Sequence, residues 1–93
     1  MELSLQRITL TGAVKPVKFN TICCKWLIKN FSSGDIYVSF DSNLVESKAV
    51  KIASGHGQVI VINEYYNWDD DQKSDTIYIK GTGEVEVQQL CYH

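Results

Sequence analysis

The chain has 93 residues, 44% of them apolar and 22% charged, and a net charge of −2 at neutral pH. This composition excludes a disordered chain, and the length fits one small domain with a modest core. Since basic residues do not outnumber acidic ones, binding to nucleic acid or to an anionic membrane is not expected. The first residues lack the basic and apolar regions of a signal peptide, and no apolar run approaches the roughly 20 residues that span a bilayer. We therefore expect a soluble protein that is made in the cytoplasm.

The sequence is interpreted as a single domain, residues 1–93, with an N-terminal strand or arm at 1–16 ahead of a main body at 17–93. Alternating apolar residues predict a first strand over Leu3–Leu10. The apolar residues stand at odd positions up to Leu5 and at even positions from Ile8 onward. This change of face predicts a bulge near Gln6–Arg7. Pro16, the only proline, is expected to break the chain between the arm and the main body.

The next two apolar segments are predicted to pair as a hairpin. The first is one long strand, Val17–Lys29, and the second is Asp35–Phe40, with a turn at Ser32–Gly34 between them. In the long strand, lysines alternate with apolar residues, so one face is expected to point to solvent. The opposite, buried face is predicted to carry Ile22, Cys24, Trp26 and Ile28.

The following segments predict two more strands around a glycine turn. A short strand is expected over Ala49–Ile52, followed by a positive-φ reversal in Ser54–Gly57. Val59–Ile62 is apolar on both faces, which indicates a central strand, buried on both sides or covered by a partner.

The C-terminal part predicts two strands, Thr76–Lys80 and Glu84–Leu90, joined by a tight hairpin turn at Gly81–Gly83. The total is six or seven strands, with turn signals at the spacing typical of a sandwich or barrel. The predicted fold class is therefore all-β, a single small antiparallel β-sandwich of jelly-roll-like type.

Three cysteines are present, Cys23, Cys24 and Cys91. An odd number excludes a complete disulfide framework, and the vicinal pair would point to opposite faces of a strand. Neither a CxxC-like spacing nor a fourth ligand for zinc is present. We expect free thiols in a reducing cytosol.

A long polar loop, residues 63–74, combines aromatic and acidic side chains. Asp69, Asp71 and Asp75 offer oxygen ligands for a hard cation, but the spacing departs from an EF-hand and Lys73 interrupts it. A solvated acidic loop is the favoured interpretation. The aromatic residues suit anchoring of the loop on the sandwich, a protein interface or a glycan site. The candidate interface or ligand residues are Tyr65, Tyr66, Trp68, Asp69 and Asp71.

No catalytic motif is found. His56 stands between two glycines and His93 ends the sequence, and neither has a serine, cysteine or carboxylate at a catalytic spacing. We expect no enzymatic activity, no catalytic residue, no cofactor and no metal.

The order of several short segments resembles a class of small β-sandwich proteins encoded among the virion genes of tailed bacteriophages and prophages. In that class, a strand ending in Asn precedes an IYV strand, a turn with Ala and Gly, an apolar strand, an IY strand, a Gly-Thr-Gly turn and a final strand with alternating valines. The matching segments are Asn30, Asp35–Ser39, Ile52–Gly55, Val59–Val61, Asp75–Ile79, Gly81–Gly83 and Val85–Val87.

The resemblance runs from about Asn20 to Gln88, and the aromatic–acidic loop is not part of it. It implies a non-enzymatic capsid-decoration, head-fibre or tail-associated component of the virion, synthesised in the bacterial host. It also implies a homo-oligomer, with a trimer favoured, that contacts capsid or tail proteins. The alternative is a small ligand- or glycan-binding module that uses the segment Tyr65–Trp68.

Overall fold

The structure is a computed structural model that describes residues 5–61 and 74–90. Eight strands occur in these residues, together with a single-turn 3-10 helix at Glu46–Lys48. The strands are β1 Leu5–Thr11, β2 Lys15–Cys23, β3 Lys25–Asn30, β4 Ile36–Ser39, β5 Val50–Ile52, β6 Gly57–Val61, β7 Ser74–Lys80 and β8 Thr82–Gln89.

The strands form two antiparallel sheets of four. The front sheet has the order β1-β8-β3-β6, and the back sheet has the order β2-β7-β4-β5. Strand β1 pairs with β8, β2 with β7, β3 with β6 and β4 with β5. This nested pairing is that of one long hairpin rolled into two layers, which is the jelly-roll topology. The predicted all-β sandwich of jelly-roll type is confirmed, with eight strands instead of six or seven.

The core lies between the two sheets and is centred on Trp26. The Trp26 ring is completely buried and contacts Phe19 edge-on, with 5.2 Å between ring centroids, and Phe40 at 6.0 Å. Its indole N–H donates to the carbonyl oxygen of Cys23 at 3.3 Å, so the polar edge of the ring is satisfied inside the core. The other fully buried side chains are mostly isoleucine and valine from alternate positions of both sheets.

The predicted long strand Val17–Lys29 is wrong. The chain leaves the back sheet after Cys23 and enters the front sheet at Lys25, so the segment forms two strands in different layers. Because the facing changes at this crossing, Cys23 is buried whereas Ile22 is 57% exposed. Because Ile22 and Cys24 extend the apolar alternation of Trp26 and Ile28 backward along the sequence, the pattern of residue types does not reveal this change of face.

The two predicted hairpins are also wrong. Strands β3 and β4 lie in opposite sheets, and so do β7 and β8, which means that both turns carry the chain between layers. A Cβ atom on Gly81 would lie 2.8 Å from Ile36 Cγ2, and one on Gly83 would lie 2.6 Å from Ser32 Cβ. The glycines are therefore required by the close approach of the two crossings, and not by a hairpin.

The first strand also differs from the prediction. Its pairing with β8 is continuous from Leu5 to Thr11, without the predicted bulge near Gln6–Arg7. The register irregularity lies in β2, between Lys18 and Cys23. Pro16 is the second residue of β2, an edge strand of the back sheet, where the missing N–H is tolerated.

Strand β6 is an edge strand and not the predicted central one. Ile60 points into the core, whereas Val59 points outward and is 44% exposed. The apolar pattern on both faces therefore reflects an exposed valine rather than burial by neighbouring strands on both sides. Ile62, the last residue of the predicted strand, lies outside the described residues.

Candidate functional site on the front sheet

The site residues predicted from the sequence, Tyr65, Tyr66, Trp68, Asp69 and Asp71, lie outside the described residues. The structure describes the two strand ends that flank them. Val61, the last residue of β6, is opposite Lys25, and Ser74, the first residue of β7, is opposite Cys23. Since only Cys24 separates Cys23 from Lys25, both strand ends lie at the same end of the sandwich.

The outer face of the front sheet carries a row of directly opposed residues that crosses all four strands and is apolar on β1, β3 and β6. Leu5 is opposite Gln88, Gln88 is opposite Leu27, and Leu27 is opposite Val59. Directly paired residues of antiparallel strands share a face, so these four side chains are neighbours. Leu5 and Val59 are each 44% exposed, and Leu27 is half-buried. We call Leu5, Leu27 and Val59 the apolar row; with strands about 4.8 Å apart, it spans roughly 14 Å.

A charged row runs beside the apolar row. The register places Arg7, Glu86 and Lys29 side by side on β1, β8 and β3. Arg7 Nη2 lies 2.9 Å from Glu86 Oε1, and Lys29 Nζ lies 3.5 Å from Glu86 Oε2. Glu86 is only 7% exposed although it points outward, because it is held between these two cations.

The Glu86 carboxylate stays charged to lower pH than an ordinary glutamate. The hydrogen bond from Arg7 lowers the pKa of Glu86, and the charge of Lys29 acts in the same direction, against a partial desolvation that raises it. In turn, the hydrogen bond to Glu86 raises the pKa of Arg7. The charged row is thus a stable ion cluster at neutral pH.

An exposed aromatic ring completes this end of the face. Phe31 directly follows β3, and its N–H donates to the carbonyl oxygen of Glu84 at 3.0 Å. The ring is 52% exposed, and the Arg7 guanidinium carbon lies 5.8 Å from its centroid. This distance permits a cation–π interaction. The front face therefore presents an apolar row with a salt-bridge cluster along one side and the exposed Phe31 ring at the end of that cluster.

The outer face of the back sheet has a different character. Its middle row places Tyr37 between Lys80 and Lys51. Lys51 Nζ lies 3.3 Å from Asp35 Oδ2, and Lys80 Nζ lies 2.8 Å from Glu46 Oε2. These exposed ion pairs are individually weak but keep the face well solvated. Ile22 of β2 in the back sheet is also 57% exposed, but the exposed apolar residues of the front sheet, Leu5 and Val59, share one register row with Leu27.

A buried polar network joins two crossings next to this site. Asn30 is 1% exposed, and its side-chain amide donates to the carbonyl oxygens of Gly34 at 2.8 Å and Ile52 at 3.0 Å. Its Oδ1 accepts from the N–H and the hydroxyl of Ser32, at 2.9 and 2.6 Å. Ser54 Oγ donates to the carbonyl oxygen of Ser32 at 2.6 Å. All of these groups satisfy the backbone of the crossings, which fixes the end of β3 that carries Phe31.

The cysteines differ from the prediction of free thiols. Cys23 is buried and disulfide-bonded, and its partner lies outside the described residues. Its sulfur also accepts a hydrogen bond from the N–H of Lys25 at 3.4 Å. Cys24 is half-buried and free, as predicted. Cys91 lies outside the described residues.

The described residues contain neither a group of metal ligands nor a membrane-spanning helix. In residues 5–61 and 74–90, no three histidine, cysteine or acidic side chains are grouped closely enough to hold a metal ion. The same residues contain no helix of the length and apolarity needed to cross a membrane. His56 is exposed, and its Nδ1 lies 3.0 Å from the carbonyl oxygen of Ser54.

No family model, curated protein or solved structure shows significant similarity to this chain. Its function is therefore inferred from its residues and its geometry.

Proposed function

We propose that this chain is a non-enzymatic structural protein of a phage or prophage virion, a homo-oligomeric capsid-decoration, head-fibre or tail-associated component. The apolar row on the outer face of the front sheet is the observation that carries the proposal. Leu5 and Val59 leave apolar surface in water on either side of Leu27, and contact with another protein would remove it from water.

Two further properties support the proposal. The jelly roll is a recurrent architecture of viral capsid domains, although the same fold also serves lectins. The charged row of Arg7, Glu86 and Lys29 lies directly beside the apolar row, so a partner would meet an apolar strip with a polar border. Such a border sets orientation and excludes wrong partners.

The proposal is tested by particle fractionation. Particles released from a host that carries the gene are purified on a density gradient, and the chain is quantified by mass spectrometry in the particle band and in the soluble fraction. We expect the chain in the particle band at a constant ratio to the major capsid protein. Its confinement to the soluble fraction, with intact particles present, would contradict the proposal.

A second candidate function is binding of a ligand or glycan through the segment Tyr65–Trp68. The observation that favours it is the position of the flanking residues, since Val61 and Ser74 both lie at one end of the sandwich, where connecting loops commonly carry binding sites. This function predicts that Trp68→Ala abolishes glycan-array binding and leaves the far-ultraviolet circular dichroism unchanged. An array on which the wild-type chain binds nothing would exclude it.

A further inference from the structure

The four edge strands of the two sheets are protected to different degrees. Strand β2 contains Pro16, two lysines and the register irregularity, and β5 is only three residues long and includes Lys51. These are known devices that block pairing with another sheet. Strand β1 carries the charged Arg7. Strand β6, with the sequence Gly-Gln-Val-Ile-Val, has no charge and no proline.

The hydrogen bonds of β3 determine which groups of β6 face the open edge. The N–H of Phe31 donates to Glu84, and the N–H of Leu90 donates to Lys25, so the odd-numbered residues of β3 bond to β8. The N–H of Asn30 donates to the carbonyl oxygen of His56. These two residues continue the β3–β6 register by one position beyond Lys29 and Gly57. Because the bonding direction alternates along a strand, the even-numbered residues of β3 bond to even-numbered residues of β6.

It follows that the odd-numbered residues of β6, which are Gly57, Val59 and Val61, direct their N–H and C=O groups away from β3. Among the described residues, β3 is the only neighbour of β6 in the sheet. These three residues form a regular ladder edge with Val59 at its centre. The Val59 side chain lies on the outer face, at the end of the apolar row.

A second copy of the chain matches this edge. In a two-fold antiparallel pairing centred on Val59, each Val59 faces its counterpart, and Gly57 faces Val61 on both sides. All three residues then exchange hydrogen bonds with the partner, about six bonds in total. No like charges meet, because β6 carries none. On β1, a two-fold pairing centred on Arg7 would place two Arg7 side chains opposite each other, which is destabilising.

We propose that β6 is the contact strand of a two-fold homodimer, in which the two front sheets join into one eight-stranded sheet. The apolar rows of the two copies become continuous across the two Val59 residues. This inference deepens the proposed function and rests on its homo-oligomeric character. It specifies a two-fold contact, which differs from the trimer that the sequence resemblance implies.

Cysteine cross-linking tests the register directly. In a Cys24→Ser background, Val59→Cys places two thiols opposite each other with Cα atoms about 5.5 Å apart, within disulfide range. Val61→Cys is the matched control on the same strand and face. Its two copies lie four residues out of register, roughly 14 Å apart, and cannot bond. Under mild oxidation, we expect a covalent dimer with Val59→Cys only. Equal cross-linking of both variants, or none with either, would overturn the inference.

Sedimentation velocity supplies an independent test with the wild-type chain. We expect a species of twice the 10.5 kDa chain mass at micromolar concentration. Val59→Lys should raise the dimer dissociation constant by at least about tenfold, because two like charges meet at the two-fold axis. Val59→Thr, which keeps the branched shape, should change it by less than about threefold. Circular dichroism verifies that each variant is folded, and the cysteine pair decides alone if Val59→Lys does not fold.

The outcomes separate this inference from the proposed function. A wild-type chain that sediments as a monomer or a trimer, without Val59→Cys cross-linking, overturns the β6 contact even if the chain is present in purified particles. A cross-linked dimer that is absent from the particles supports the β6 contact and contradicts the virion function.

Discussion

Arg7 and Glu86 join the first and last strands of the fold through a hydrogen bond of 2.9 Å between Nη2 and Oε1. The two residues are directly opposite in the β1–β8 register, although almost the whole chain separates them in sequence. A jelly roll closes by pairing its terminal strands, so this contact lies where the fold is completed. It also borders the apolar row, and it therefore connects the integrity of the fold with the candidate interface.

The Arg7–Glu86 contact predicts a specific pH dependence of stability. The folded state lowers the pKa of Glu86, so the carboxylate contributes stability above the usual glutamate pKa of about 4.3 and loses it as the pH falls through the lower, folded value. Glu86→Gln removes this contribution. We expect the urea midpoint of the wild type to exceed that of the variant at pH 7, with the difference shrinking toward pH 3.

Glu84→Gln is the matched control for this prediction. Glu84 Oε1 lies 3.8 Å from Arg7 Nε, and both side chains are more than half exposed, so solvent screens the interaction. Its pH profile should follow that of the wild type closely. A Glu86→Gln profile parallel to the wild type would show that Glu86 is not held by Arg7.

Even an alanine side chain at position 83 is expected to reduce the stability of the fold strongly. The φ of Gly83 is +106°, and a Cβ atom would lie 2.6 Å from Ser32 Cβ, at the contact between two crossings. Gly83→Ala should therefore lower the free energy of unfolding by about 2 kcal/mol or more. Gly34→Ala is the control, because nothing lies within 4 Å of the added atom, and it should stay within about 0.5 kcal/mol. Equal effects in chemical denaturation would contradict the described crossing.

Removal of the buried Asn30 side-chain amide is expected to cause a comparable loss of stability. Asn30→Ala leaves the carbonyl oxygens of Gly34 and Ile52 and the hydroxyl of Ser32 without this partner inside the protein. We expect a loss of about 2–3 kcal/mol in the free energy of unfolding. Asn43→Ala, at an exposed position, should change it by less than about 0.5 kcal/mol. A neutral Asn30→Ala would mean that water replaces the network without cost.

The disulfide state of Cys23 predicts a count of reactive thiols. The chain has three cysteines, Cys23 is bonded and Cys24 is free. Alkylation of the unfolded chain under non-reducing conditions should therefore label one thiol, and alkylation after reduction should label three. Intact mass spectrometry measures both numbers. Three labelled thiols without reduction would show that Cys23 is not disulfide-bonded and that all three cysteines are free.

The sequence predicted the class of fold because alternating apolar residues record which side chains face the core. Trp26, Ile28, Val85 and Val87 are buried as the alternation requires. It did not predict which strands share a sheet. The same glycine-rich residues can form a hairpin turn within one sheet or a crossing between the two sheets. The close approach of Gly81 to Ile36 and of Gly83 to Ser32 shows that this turn is a crossing, and the sequence does not record that approach.

The candidate site was harder to predict for a related reason. Leu27 between two lysines was expected on the solvent face, which is where it lies, but one exposed leucine is ordinary. The apolar row exists only because the register brings Leu5 and Val59 into line with Leu27 from distant parts of the sequence. The aromatic–acidic segment, by contrast, was conspicuous by composition, and its predicted role stays a prediction.

Our main proposal places this chain in virions, assembled through the outer face of its front sheet. The most direct measurement is the amount of chain per major capsid protein in gradient-purified particles, compared between the wild type and Val59→Lys. We expect a constant, reproducible ratio for the wild type and a severalfold lower ratio for the variant. Particles that lack the wild-type chain altogether would contradict it.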